Sequence, residues 1–239
     1  RKANRILSAY LNLLSAYPDQ PYDQPIVCDP FSGDPLVVPP KVGDMGTVWD
    51  KDRKVLELVE KKVQAGERVI IYTAWTRLDT QTKLHTLLTQ AGYRVKILDR
   101  RVPTAKREKW VDKQVAEGIN VLIVNPALLQ TGLDLNAFTT LIFYNTAFNL
   151  FVLRQASRRS YRINQTAPKI EVYLLYYAHT MQQRTMRLMA SKLSAAMVIE
   201  GSGFSEEGLA ALSQSDDMMA LLAKDLVHGI KDSVEDLSA

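Results

Sequence analysis

Four short apolar runs decide the fold: RVIIYT (Arg68–Thr73), YRVKILD (Tyr93–Asp99), INVLIV (Ile119–Val124) and TTLIFYN (Thr139–Asn145). Each is nearly all apolar instead of alternating, so each expects to be buried on both faces. Helix-length intervals separate the first three. Between the first two, Leu84, Leu87, Leu88 and Ala91 recur at helical spacing after a capping pattern, Thr76-x-x-Asp79, and Gly92 stops the helix. Between the second and third, Thr104–Glu117 reads as a helix closed by Gly118, with Trp110 assigned to the core. Upstream, Val55, Leu56, Val59 and Val63 mark a helix that starts near Asp50 and ends at Gly66, and Lys169–Tyr177 reads as a last strand. Strands of this kind alternating with helices predict an α/β fold, a parallel sheet with helices on both faces. Right-handed crossovers then gather the strand carboxyl ends on one edge, where ligands of such sheets bind.

The flanks read differently. Arg1–Ala16 carries Ile6, Leu7, Tyr10, Leu13 and Leu14 at helical spacing, and Tyr17–Val48 is a proline-rich, extended connector. From Thr180 onward the chain reads as helix, with Met181, Met186, Met189 and Met197 as packing residues. The expected organisation is therefore 1–49 helix and connector, 50–179 sheet domain, and 180–239 helical extension.

Net charge is +4, but from Glu200 to the end nine acidic side chains face two basic ones, leaving about +11 on the remainder. A basic body suits nucleic acid or another polyanion. Cys28 is the single cysteine and His85, His179 and His228 are scattered, so no disulfide and no metal site is expected. No apolar run approaches the ~18 residues of a membrane span, and a cytoplasmic location is expected, or a nucleoid or nuclear one.

The most informative functional segment is QASRRSYRINQ (Gln155–Gln165). On a helix Gln155, Arg158, Arg159 and Arg162 share one stripe. No carboxylate occurs from Thr146 to Ile170, so these guanidiniums lack a local partner and suit an external phosphate. Spacing alone leaves a solvated basic face as the alternative.

With these segments in place the chain resembles the second RecA-like lobe of superfamily-two helicases, most of all Swi/Snf-type DNA translocases. VIIYTAW (Val69–Trp75) is similar to motif IV, ILDR (Ile97–Arg100) with Arg107 to a leucine-aspartate-glycine segment and its following arginine, and VLIVNPALLQTGLDL (Val121–Leu135) to motif V. QASRRSYRINQ is similar to motif VI, and YNTAFNL (Tyr144–Leu150) to an aspartate-x-x-tryptophan-asparagine-proline stretch. The resemblance implies that Arg159 and Arg162 are fingers reaching the γ-phosphate of ATP, with Gln155 and Arg158 in the same cluster. It further implies that Gly132 and Asp134 approach the nucleotide, although an ordinary turn is the alternative for that pair. Motif IV puts Thr73 on the nucleic-acid side. The chain departs from the pattern at Arg158 and Asn164, commonly glycine, at Arg100, also glycine, and at Pro126, where many relatives have a threonine that bonds a strand phosphate.

No glycine is followed by lysine, so a phosphate-cradling G-x-x-x-x-G-K-[ST] loop is absent, and no acidic pair ends a buried strand. The expectation is half a catalytic site. ATP with Mg would be held mainly by an N-terminal RecA-like lobe elsewhere in the polypeptide or on a partner, and this chain would turn over no ATP alone. The opening residue, Arg1, fits a piece of something longer.

A second basic cluster spans Arg94–Lys113, with eight basic against three acidic residues. Arg100, Arg101, Lys106 and Arg107 sit after a strand and in the first turns of the next helix, where backbone N–H groups also favour phosphate. With Lys109 they are the expected contacts to a DNA backbone, duplex in form and without base reading, and a solvated helix face partnered by Glu108 and Asp112 is the alternative. The acidic extension reads as a structural bracket, with a DNA-mimicking autoinhibitor as its alternative. Two readings of the whole follow: a motor lobe of an ATP-dependent translocase or helicase, or a degenerate RecA-like lobe that binds DNA or protein without catalysis. A Rossmann-type enzyme is disfavoured because no G-x-G-x-x-G follows a strand.

Overall fold

A computed structural model describes residues 2–75, 79–129, 133–145 and 169–189. The chain divides into two compact units, one built on residues 1–42 and the chain from 177, the other on residues 43–147 and 152–176.

In the sheet unit, α2 (Asp50–Gln64), β3 (Val69–Tyr72), α3 (Thr80–Gln90), β4 (Val95–Leu98), α4 (Arg107–Ala116), β5 (Val121–Val124), β6 (Thr140–Phe143) and β7 (Glu171–Leu174) follow in order. The strands lie in the order β4-β5-β3-β6-β7, and every pairing is parallel. Each expected strand is present, trimmed by up to three residues at an end. β3, β5 and β6 are buried along their whole length, as their unbroken apolar sequences require.

The two faces of the sheet carry separate cores. On one, Val55, Leu58 and Val59 of α2 and Leu84 and Leu88 of α3 pack on Val69, Ile71, Val121, Ile123 and Ile142. On the other, Val111 of α4 and the loop residues Leu129, Leu133, Leu135 and Phe138 pack on Ile70, Tyr72, Leu122, Val124, Leu141 and Phe143. Tyr72 and Phe143 stack across neighbouring strands with ring centroids 4.6 Å apart. Trp110 lies half-buried against this second core, as its assignment to the core anticipates.

α2 begins with Asp50 and Asp52 in its first turn and ends with Lys61 and Lys62 in its last, both favourable to the helix dipole. Gly66, at φ 77°, takes the left-handed conformation that turns the chain into β3. Gly118 does the same after α4 at φ 78°; a Cβ there would lie 2.7 Å from Arg94 Nη1, whose guanidinium donates to the Glu117 carbonyl. α3 starts at Thr80 with Asp79 in the capping position; Thr76, the expected cap, lies outside the described residues. The expected helix at 104–117 is a 3-10 turn, Thr104–Lys106, running into α4.

At the amino edge of the sheet the side chains of Lys62, Glu67 and Glu171 form an ion cluster joining α2, β3 and β7, with Lys169 paired to Glu171 at 2.5 Å. Glu67 also accepts from Thr139 at 3.1 Å and Thr140 at 2.6 Å. Lys169 first, then Lys62, holds the Glu171 carboxyl down at about 2. Burial pushes Glu67 up, but the hydrogen bonds from Thr140, Lys62 and Thr139 outweigh it and leave that carboxyl below its usual value. A depressed carboxylate stabilises the fold above its unfolded pKa and loses that contribution as pH falls through the folded one. Urea midpoints should therefore fall between pH 4.5 and about 2, and Glu171→Gln should flatten that fall. An identical pH profile for the variant would remove the cluster's role.

In the other unit, α1 (Lys2–Ala16) buries Leu11, Leu13 and Ala16. The backbone at 181–189 is helical and buries Met181, Thr185 and Met189, so these two methionines pack as expected, while Met186 is half-buried and Met197 lies outside the described residues. Gln182 Nε2 donates to the Ser15 carbonyl at 2.9 Å, tying this helix to α1. The connector is not wholly extended. β1 (Val27–Cys28) and β2 (Pro35–Val37) pair antiparallel across a turn, because Asp29 supplies the turn chemistry that the prolines obscured. No helix among the described residues is long and apolar enough to cross a membrane.

Candidate nucleotide and nucleic-acid edge

The connection leaving β3 runs through α3 on one face, whereas the connection leaving β5 folds its Leu129, Leu133 and Leu135 onto the other. Adjacent strands whose connections part in this way define the switch point where open parallel sheets bind ligands. The carboxyl ends of β5, β3 and β6 therefore make the site edge.

Two asparagines build that edge. The Ala74 N–H donates to Asn145 Oδ1 at 2.6 Å, and Asn125 Nδ2 donates to the Ala74 carbonyl at 3.0 Å. Asn125 Oδ1 also accepts from the Ala127 N–H at 2.8 Å, which sets the turn at Pro126–Leu129. The Thr73 N–H donates to the Val124 carbonyl at 3.1 Å. Asparagine side chains thus extend the ladder past the point where β3, β5 and β6 diverge, and hold three loops as one body. A fully buried peptide group left without partners costs about 1–3 kcal/mol, and the clamp spares the half-buried Ala74 peptide part of that cost. Neither asparagine stands out by pattern. The available signal was position: each is the first polar residue after an all-apolar strand.

Thr73 is fully buried and its hydroxyl accepts from Gln81 Nε2 at 2.8 Å, linking the edge to α3. Arg107 is half-buried, with Nη1 donating to the Leu128 carbonyl at 2.8 Å and Nε to the Val102 carbonyl at 3.2 Å. Both side chains are committed inside the lobe. Arg107 draws the loop after β4 against the turn after β5, and so fixes where Arg100 and Arg101 stand.

Those two arginines and Lys106 are exposed. Arg101 reaches back to Asp99, with its Nε 2.8 Å from Oδ2 and its backbone N–H 2.8 Å from Oδ1. The pair holds the Asp99 carboxyl below its usual value, by hydrogen bonding from Arg101 first. Arg100 and Lys106 make no ion pair among the described residues. Asp134 is half-buried between the buried Leu133 and Leu135, on the loop that covers the α4 face. Gly132, Gln155, Arg158, Arg159 and Arg162 lie outside the described residues.

Behind this edge lies a charge pair that no motif announces. Asp52 accepts from Lys83 Nζ at 2.5 Å and from the Tyr144 hydroxyl at 2.8 Å, both buried, and from the part-buried Trp49 N–H at 2.9 Å. Lys51 Nζ sits 4.9 Å above the Tyr144 ring. Tyr144 immediately precedes Asn145, so the pair braces the end of β6 against α2 and α3.

Residues 50–164 match the helicase conserved C-terminal domain family. Among curated proteins, the chain is 29% identical over 160 residues to "Helicase SWR1" of Cryptococcus neoformans var. neoformans, covering 66% of this chain and 12% of that protein. It is 26% identical over 191 residues to "ATP-dependent DNA helicase DDM1" of Arabidopsis thaliana, covering 78% and 25%. It is 29% identical over 189 residues to "Chromatin-remodeling ATPase INO80" of Drosophila melanogaster, covering 77% and 11%. The chain spans a quarter or less of the length of these relatives. The crystal structure of the C-terminal part of the Fun30 ATPase domain superposes with a TM-score of 0.57 at 17% identity, covering 79% of this chain and 57% of that one. Residues 50–164 thus match a helicase C-terminal domain and fold as a RecA-like lobe around a five-stranded parallel sheet, and the similarity to Swi/Snf-type helicases supports a C-terminal superfamily-two lobe.

Proposed function

We propose that this chain is the C-terminal motor lobe of an ATP-dependent DNA translocase, completing a nucleotide site whose phosphate loop and metal carboxylate belong to a first RecA-like lobe. The observation that carries the reading is the run of three arginines and one glutamine that follows the clamped carboxyl end of β6 with no carboxylate from Thr146 to Ile170. Arg159 and Arg162 neutralise the charge that develops on the γ-phosphoryl oxygens during transfer. Gln155 and Arg158 belong to the same cluster, and Gly132 and Asp134 lie on the nucleotide side of the loop after β5. ATP and Mg are held mainly by the first lobe, and the lobe described here turns over no ATP without it. The relatives' names, an ATP-dependent DNA helicase and a chromatin-remodeling ATPase, support the same assignment.

On the nucleic-acid side, Arg100, Arg101 and Lys106 contact the DNA backbone, while Thr73 and Arg107 hold the loops that present them. Residues 1–49 and 180–239 flank the motor domain, and a nuclear or nucleoid location follows from DNA as the track. The deciding measurement is DNA-stimulated ATP turnover of the complete two-lobe polypeptide with Arg159 or Arg162 replaced.

The DNA face has its own test. Phosphate contacts release counterions, so the affinity falls with log salt at about −0.9 per contact on duplex DNA. Reversing Arg100, Arg101 and Lys106 to glutamate should weaken duplex binding and flatten the salt slope by about 2–3, with no change in sequence preference. An unchanged slope would move the DNA elsewhere.

A further inference from the structure

The proline-rich segment before the motor domain carries a surface that ATP and DNA chemistry leave unused. Val27 is buried and Val37 half-buried where the two pair, while Ile26, Cys28, Leu36 and Val38 beside them are exposed, with a register shift between Val27 and Cys28. Ile26 is 51% exposed, Leu36 49% and Val38 65%, and Phe31 at the tip of the hairpin is 74% exposed. Scattered apolar residues on a surface need no account, but a contiguous set on one ribbon marks an interaction site.

The tip is also built to keep its shape. Asp29 Oδ1 accepts from the Phe31 N–H at 2.9 Å and the Ser32 N–H at 3.3 Å, and the Asp29 carbonyl accepts from the Gly33 N–H at 2.9 Å. The Asp29 N–H donates to the Asp34 carbonyl at 2.8 Å, closing the turn. Gly33 takes φ 78° there, and the prolines at 30 and 35 stiffen both sides of the turn. A preset ribbon loses little conformational freedom when it docks.

Charge selects the occupant. From Gln20 to Pro40 the chain has Asp23, Asp29 and Asp34 and no cation, so the face is apolar with a carboxylate rim. Nucleic acid is repelled by such a rim. The chain's own residues 200–239, with a net charge of −7, meet the same repulsion. A second copy pairing face to face would bring the aspartates together. We infer that the exposed apolar face of the 26–38 hairpin is a protein-docking surface for a basic partner, one that offers an apolar cleft ringed by lysine or arginine.

Cys28, exposed on this face and the single cysteine of the sequence, reports on it directly. The full chain would be labelled at Cys28 with an environment-sensitive fluorophore and titrated with an amphipathic peptide of leucine and lysine. Controls would be a leucine–glutamate peptide of the same pattern and duplex DNA. A saturable blue shift is expected with the leucine–lysine peptide alone. It should weaken at least tenfold in Leu36→Ser/Val38→Ser, and also in Asp23→Asn/Asp34→Asn, with circular dichroism unchanged. Both pairs are exposed, so neither tests folding. Equal response to the glutamate peptide or DNA would overturn the inference, as would binding that survives Leu36→Ser/Val38→Ser and so belongs to the acidic residues 200–239. A spectrum that shifts with protein concentration alone would assign the face to a second copy, and a fluorophore shielded in the free chain would assign it to a segment of the chain itself; either result also overturns it.

Discussion

Alanine at Arg159 or Arg162 is expected to lower DNA-stimulated ATP turnover of the complete two-lobe enzyme by about 10³–10⁵-fold, the range over which arginine fingers act in phosphoryl transfer. That factor corresponds to about 4–7 kcal/mol of transition-state stabilisation. The size follows from what the arginine meets. Charge builds on the equatorial oxygens only as the phosphoryl group transfers, and a planar guanidinium can donate two parallel bonds to it. Lysine keeps the charge but loses the fork, so Arg159→Lys should recover little of the rate. DNA affinity should be retained, because the backbone contacts assigned to Arg100, Arg101 and Lys106 lie on the loop after β4. That separation distinguishes a motor lobe from a non-catalytic DNA-binding lobe. Turnover within tenfold of the parent in both alanine variants would leave only the second reading.

The sheet was legible because its physics is one-dimensional. VIIY, VLIV and TLIF are short apolar runs that read as central strands of a covered parallel sheet, and positive-φ glycines stop the intervening helices at Gly66, Gly92 and Gly118. The run proposed to reach ATP, Gln155–Gln165, stands out by sequence alone, as an unusual residue type recurring at a helical period with no counter-charge nearby, and it lies outside the described residues. What sequence could not supply was pairing at long range. Asn125, Ala74 and Asn145 meet because three strands end side by side, and beyond the place of each asparagine after an apolar strand nothing local marks them. Thr73 and Arg107 carry motif positions, yet whether a polar side chain faces a ligand or its own neighbours depends on loops folded from elsewhere. The hairpin at 27–37 was hidden by composition. Proline at 25, 30, 35, 39 and 40 argues against strands, while the single Asp29 turn outweighs it locally.

Asp52 and Lys83 were the least legible of all, since charged residues 31 positions apart on two helices are ordinarily solvated. Their burial makes a sharp prediction. Asp52→Ala should destabilise the lobe by about 3–5 kcal/mol in urea unfolding, because it strands the Lys83 ammonium in a site where only 5% of that side chain meets water. The Tyr144 hydroxyl and the Trp49 N–H lose their acceptor in the same step. Removing both charges is a different experiment. Asp52→Leu combined with Lys83→Met leaves no uncompensated ion, and it should recover most of the loss, since buried pairs gain little net stability over apolar residues of similar volume. With Asp52→Leu and Lys83→Met also measured singly, the non-additivity of the double variant measures the pair itself. If Asp52→Ala costs less than 1 kcal/mol, Lys83 must find water or another carboxylate. Tyr144 would then no longer be braced by α2 and α3, and the link from the buried pair to Asn145 would fail with it.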